Sequence, residues 1–199
     1  SKSSTFLLLL LVIPFLGEMD AVLRLWLRDV PPQVALFCTV MLINAVLNQL
    51  STGLKSAVQA TGQIKRYQAV VGTTVMLIVP LAYSMLHYGY EVHHILMAST
   101  GLELLSLLLR LLICRSVAGI GVSLFFKAVF LKVVLVSLMP MLAVYSIQHT
   151  LDASLLRMAF TVASSSLLLL LGIYFFGLNS LEREQLSAMI KKIKIKYLT

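Results

Sequence analysis

The chain has 199 residues, of which 59% are hydrophobic and only 12% charged, and its formal net charge is +8. A soluble domain carries about 25% charged residues, and one small core could not hide this many apolar side chains, so the composition excludes a soluble globular domain and calls for a bilayer as solvent. The positive charge does not point to nucleic acid, because the basic residues lie between and after apolar blocks and form no stripe interleaved with stacking aromatics.

A membrane-spanning helix needs about 20 mostly apolar residues. Six blocks reach or approach that length: 6–27, 34–52, 69–86, 95–114, 125–147 and 155–176. Leu104 to Leu112 and Leu167 to Leu171 are apolar or nearly so all round, which marks helices bathed in lipid. The expected fold class is therefore all-α, a polytopic helix bundle over 1–179. A basic amphipathic tail, 180–199, follows it. In the tail Leu181, Leu186, Met189, Ile190 and Ile193 can share one helical face with lysines around it. That pattern suits either a helix lying on an anionic leaflet or a solvated basic tail.

The connections alternate in charge. The segments 53–68, 115–123 and the tail after 177 hold Lys55, Lys65, Arg66, Arg115, Arg183, Lys191, Lys192, Lys194 and Lys196, and Lys2 falls on the same side. The segments 28–33, 87–94 and 148–154 hold Arg28 beside Asp29, Glu91 and Asp152. The positive-inside rule places the first set in the cytoplasm, with both termini there. Lys127 and Lys132 at one end of the fifth block, and Arg157 at the other end of the sixth, read as snorkelling side chains. Cys38 and Cys114 then fall at opposite faces, too far apart for a disulfide. The opening Ser-Lys-Ser-Ser, without Met, reads as the start of a piece of a longer protein.

Polar residues at hydrocarbon depth are costly, so each needs a reason. The first block is interrupted at Gly17, Glu18 and Asp20, after Pro14. The helix is expected to break there and to lay 18–27 along the outer interface, with Trp26 as an aromatic anchor. In the second block Asn44, Asn48, Ser51 and Lys55 recur at helical spacing on one face, with Gln49 beside them. The fourth block repeats the spacing with Ser99, Glu103, Ser106 and Arg110. Such stripes serve either hydrogen bonding between helices or a polar cavity that touches substrate. Glu103 reads as a coupling carboxylate or as a structural one. Glu103 and Arg110 are about 10 Å apart along the axis, which points each toward partners on other helices. Pro80 and Pro140 can kink the third and fifth helices.

Signatures of enzymes are missing: the sequence has no His-Glu-x-x-His, no Cys-x-x-Cys and no phosphate-binding Gly-rich loop. His93 and His94 are adjacent in an outer connection, a weak basis for a metal site. The expectation is a non-enzyme with no cofactor and no metal.

One stretch is distinctive. Leu25-Trp26-Leu27-Arg28-Asp29-Val30-Pro31-Pro32 is followed, after a span, by Gly53-Leu54-Lys55-Ser56-Ala57-Val58-Gln59-Ala60-Thr61-Gly62-Gln63-Ile64-Lys65-Arg66-Tyr67-Gln68, and the chain later reads Gly177-Leu178-Asn179-Ser180-Leu181-Glu182-Arg183. This pattern resembles the Wzx-type polysaccharide flippases of the multidrug/oligosaccharidyl-lipid/polysaccharide exporter superfamily. The resemblance runs along essentially the whole chain, and its Ala-Thr-Gly-x-Ile-Lys segment is the most specific part. It implies the last six spans of a two-lobe transporter in the bacterial inner membrane. Such a transporter would move an undecaprenyl-pyrophosphate-linked glycan for surface polysaccharide, such as O-antigen of lipopolysaccharide, by alternating access. Its partners would be the bilayer, the lipid-linked glycan and an amino-terminal lobe of the same transporter.

Read as residues, Gly53 and Gly62 allow turns or helix ends, and 57–61 suits a short interfacial helix. Lys55, Lys65 and Arg66 are candidates for a phosphate or headgroup, or else simply set topology by their charge. Asn44, Asn48, Gln49, Glu103 and Arg110 are the candidates for a substrate cavity or lobe contact. A small-molecule exporter coupled to Na⁺ or H⁺ and a non-transporting membrane subunit or remnant are the alternative functions.

Overall fold

The computed structural model describes residues 2–27, 29–119 and 121–178; the tail 180–199 lies outside them. The described residues are helical apart from short connections. The first block is two helices, α1 (Lys2–Gly17) and α2 (Met19–Trp26), which meet at 85°. The break falls where the sequence turns from apolar to Gly17-Glu18. The second block is α3 (Val34–Ala60). The third is α4 (Ile64–Met76) with α5 (Ile78–His87). The fourth is α6 (Val92–Ala118). The fifth opens with a single turn, α7 (Val122–Phe125), and continues through one wide turn into α8 (Leu131–Thr150). The sixth is α9 (Leu155–Gly172), which ends in a second wide turn, Ile173–Gly177. In the wide turns the Leu131 and Leu178 N–H groups donate five residues back, to Phe126 and Ile173. Among the described residues five of these helices, of 23 to 29 residues, are long and apolar enough to cross a bilayer, or six where the bent first pair counts as one span. The chain is an all-α multi-pass membrane protein.

Two sequence expectations need correction. The second span does not stop at 52. It continues to Ala60, so Gly53 lies within a helix and 57–61 is the end of α3, not a separate interfacial helix. The turn comes at Gly62, whose φ of 76° is left-handed and costs glycine little. The cytoplasmic loop expected over 53–68 therefore shrinks to 61–63, and Lys65 and Arg66 sit in the first turn of α4. Pro80 acts as expected, one turn upstream: it has no N–H to offer Met76, and the regular helix is interrupted at Leu77. Pro140 lies buried inside a continuous α8.

Short connections reverse the chain after α3 and again after α5, so α3 and α6 run in the same direction and pack side by side, with α4 and α5 against α6. α8 and α9 form an antiparallel pair. Thr161, Ser165 and Gly172 are buried along α9, and at Gly172 the backbone of Val136 approaches closely. Small residues of this kind let helices come together in lipid, where no hydrophobic force draws them. α1 sits between α3 and the α8–α9 pair.

Buried apolar residues form two clusters. One joins Phe6, Leu9 and Ile13 to Leu50, Val133, Val136, Val144 and Leu169. The other joins Leu54 and Val58 to Tyr67, Val71, Leu107, Leu111, Cys114 and Phe125. The outward faces carry Leu104, Leu108, Leu112, Leu135, Leu138 and Leu142, all exposed. So much exposed leucine is compatible with acyl chains and not with water.

Candidate functional site

The two polar stripes meet. Arg110 projects from α6 against α3, where Nη1 donates to Asn48 Oδ1 at 3.0 Å and to Ser51 Oγ. Its side chain is only 9% exposed, although it lies about two-thirds of the way along a membrane-length helix, two turns from its end. The expectation that Glu103 and Arg110 find separate partners is corrected here: Arg110 Nη1 lies 3.7 Å from Glu103 Oε1. Helical side chains tilt toward the amino terminus, so the long arginine spans the two turns that separate the Cα atoms. At 3.7 Å the contact is an ion pair without a hydrogen bond. Glu103 Oε1, Arg110 Nε, Asn44 Oδ1 and Ser106 Oγ are all buried and have no hydrogen-bond partner among the described residues. Buried polar atoms are almost always satisfied, so this cluster has unused hydrogen-bonding capacity.

Arg110 also opens on a cavity of about 400 Å³ between α3, α4 and α6, lined by Asn48, Ser51, Thr52, Lys55, Tyr67, Gln68, Val71, Gly72, Val75 and Arg110. The lining carries two cations, Arg110 and Lys55, and no carboxylate; Glu103, outside the lining, lies 3.7 Å from Arg110 Nη1 and offsets part of its charge. With low-dielectric walls, such a cavity favours an anion. Guanidinium is suited to phosphate or carboxylate because its N–H groups form a planar fork.

Of the sequence candidates, Asn48, Lys55 and Arg110 come together here. Glu103 touches Arg110, and Asn44 lies on the same face of α3, one turn from Asn48. Gln49 is half-buried outside the lining. Lys65 and Arg66 are exposed and do not line the cavity. Tyr67 and Gln68 do line it, although the sequence reading gave neither a role. Their signal was position: both lie in the polar segment just beyond Gly62.

A second polar cluster lies at the other end of the bundle. Glu18, at the α1–α2 break, is buried to 1% side-chain exposure. Arg157 Nη2 donates to Glu18 Oε2 at 2.9 Å, and Thr161 Oγ1 donates to Oε1 at 3.0 Å. Arg157 Nη1 reaches the Leu151 carbonyl at 3.2 Å. Arg157 was expected to snorkel outward; instead it turns inward, because a buried carboxylate attracts it more strongly than the interface does. Glu18 is therefore turned into the bundle, against α9. At the start of α6, His93 Nδ1 lies 3.0 Å from Glu91 Oε2, and the imidazoles of His93 and His94 are neighbours. Among the described residues no group of three or more His, Cys, Asp or Glu is placed to hold a metal.

Compared with family models, with curated proteins and with solved structures, the chain matches none.

Proposed function

We propose that the chain forms the carboxy-terminal lobe of a transporter that moves a lipid-linked oligosaccharide across the bacterial inner membrane. In this reading the phosphate groups of the carrier lipid engage Arg110 and Lys55, while Asn48, Gln68 and Tyr67 offer neutral hydrogen bonds. Its lysine-rich connections face the cytoplasm, and its partner is an amino-terminal lobe of the same transporter. The supporting observation is the buried Arg110, which opens on a cation-lined cavity within helices of membrane length. The sequence resemblance to polysaccharide flippases adds the substrate class. A buried cation without full partners costs several kcal/mol in a low-dielectric interior, and an anionic ligand offsets that cost. Alternating access by rocking of helix bundles around a polar cavity is the mechanism that fits such a layout.

The test is complementation of a strain deleted for its flippase, with a glycan matched to this protein. The full-length gene is expected to restore surface polysaccharide, and Arg110→Ala is expected to abolish that restoration while the protein still inserts. No restoration by the inserted wild type overturns the reading and moves an ion-coupled exporter or a non-transporting subunit ahead.

A further inference from the structure

The anion cavity is one end of a longer slot. α3 and α4 each pack along α6 but touch one another little, so they form two walls with α6 as the floor. On α3 the wall runs Lys55, Thr52, Asn48, Ala45 and Met41, spaced three and four residues apart on one helical face and all exposed. The other wall runs Gln68, Gly72 and Val75 on α4 and on to Val79 of α5, at the same spacing. Both walls change character along their length. Toward the lysine-rich end they carry Lys55, Thr52, Asn48 and Gln68, with Arg110 between them. Beyond that they carry Ala45, Met41, Val75 and Val79, and Met41 and Val79 are 63% and 70% exposed.

Gly72 has no conformational reason to be glycine. It lies inside α4 without a positive φ, where glycine weakens a helix relative to alanine. A Cβ built there would meet nothing within 4 Å among the described residues, so no close approach of helices accounts for it either. It does line the cavity, and a bare backbone there widens the slot by one side chain. Depth supplies a second argument. The 27 residues of α3 rise about 40 Å, a bilayer with its headgroup layers. Lys55 stands about 8 Å from the Ala60 end of α3, and Arg110 about 12 Å from the Ala118 end of α6. The cations thus sit near the level where headgroups give way to hydrocarbon, and the apolar walls run on from there toward the midplane.

We propose that the slot between α3 and α4 is a side entrance from the bilayer and that its occupant is a lipid. The lipid's phosphate lies against Arg110 and Lys55, and its chain passes Gly72 and runs between Ala45 and Val75. A free anion engages the cations alone, whereas a phosphate-bearing lipid of the adjoining leaflet fills both halves of the slot at the depth it already occupies. The inference rests on the anion site of the proposed function and adds to it a chain seat and a route of entry.

In nanodiscs of phosphatidylcholine, phosphatidic acid with a spin label on its chain reports occupancy by electron paramagnetic resonance. The wild type is expected to immobilise this lipid about fivefold more strongly than phosphatidylcholine carrying the same label. Arg110→Ala is expected to remove that preference. Gly72→Leu and Ala45→Phe, which fill the slot beyond the cations, are each expected to remove most of it, while sulfate affinity measured by calorimetry stays within about twofold of the wild type. Equal immobilisation of the two lipids by the wild type overturns the proposal. So does a preference that both filling variants leave intact at wild-type helicity, or one that falls only in step with sulfate affinity. Where a filling variant loses helicity, Val75→Asn replaces it: a smaller fall at unchanged sulfate affinity supports the slot, and no fall overturns it. If the slot falls, sulfate binding that still depends on Arg110 leaves the anion site of the proposed function standing; sulfate binding indifferent to Arg110 removes that site as well.

Discussion

Arg157 Nη2 lies 2.9 Å from Glu18 Oε2, an ion pair that joins residues 139 positions apart and ties the broken first span to the last. Removing one partner of a buried pair leaves the other uncompensated, at about 3–5 kcal/mol. Arg157→Ala is expected to destabilise the protein by that order, and Glu18→Gln by less, since an amide oxygen still accepts from Thr161. Thermal unfolding in mild detergent checks the ranking; equal and small losses for both would show that the pair contributes little.

The geometry of Arg110 implies a second asymmetry. Arg110→Lys keeps the charge but loses the fork that serves Asn48, Ser51 and the cavity together. Binding of sulfate, a non-titrating tetrahedral anion, is expected to weaken about tenfold in Arg110→Lys and to vanish in Arg110→Ala, a difference on the order of 1.4 kcal/mol or more. Calorimetry on protein in nanodiscs measures this. Equal sulfate affinity in wild type and Arg110→Ala would remove the anion site.

Lys55 stands at the same cavity but is exposed. Its contribution should be electrostatic and screened by salt. Lys55→Gln is expected to weaken sulfate binding about threefold at low ionic strength and hardly at all at high ionic strength. A loss independent of salt would point to direct ligation.

Leu107 and Leu108 are chain neighbours on different faces of α6, 8% and 57% exposed. Leu107→Ala opens a cavity against the cluster around Tyr67 and Leu111, at about 2–5 kcal/mol. Leu108→Ala faces the surrounding solvent of acyl chains and should cost well under about 1 kcal/mol. A comparable loss at both positions would mean that α6 is covered by another helix on its outer face.

Gly17→Ala tests the close approach of α1 to α8. A methyl group there would run into Val144, and overpacking of this kind costs about 1–3 kcal/mol. Val144→Ala is expected to relieve much of that loss in the double variant. Additive losses in the double variant would show that the two positions do not touch.

By itself the sequence determined that this chain lives in a membrane, where its apolar helices fall, and where the first one breaks. Those properties are local: apolar length, a polar interruption and Pro80 act on their own segment of helix. The periodicity of Asn44, Asn48, Ser51 and Lys55, and of Ser99, Glu103, Ser106 and Arg110, also announced two one-sided polar faces. Only the tertiary structure decided that those faces meet, because helix periodicity gives a direction around one axis and says nothing of which neighbour fills it. It likewise turned Arg157 inward to Glu18, brought Glu103 within 3.7 Å of Arg110, and placed Gln148 on the Gly17 carbonyl. In hydrocarbon a polar group takes whatever partner the packing brings within reach, and that choice is made between helices, where no single segment can specify it.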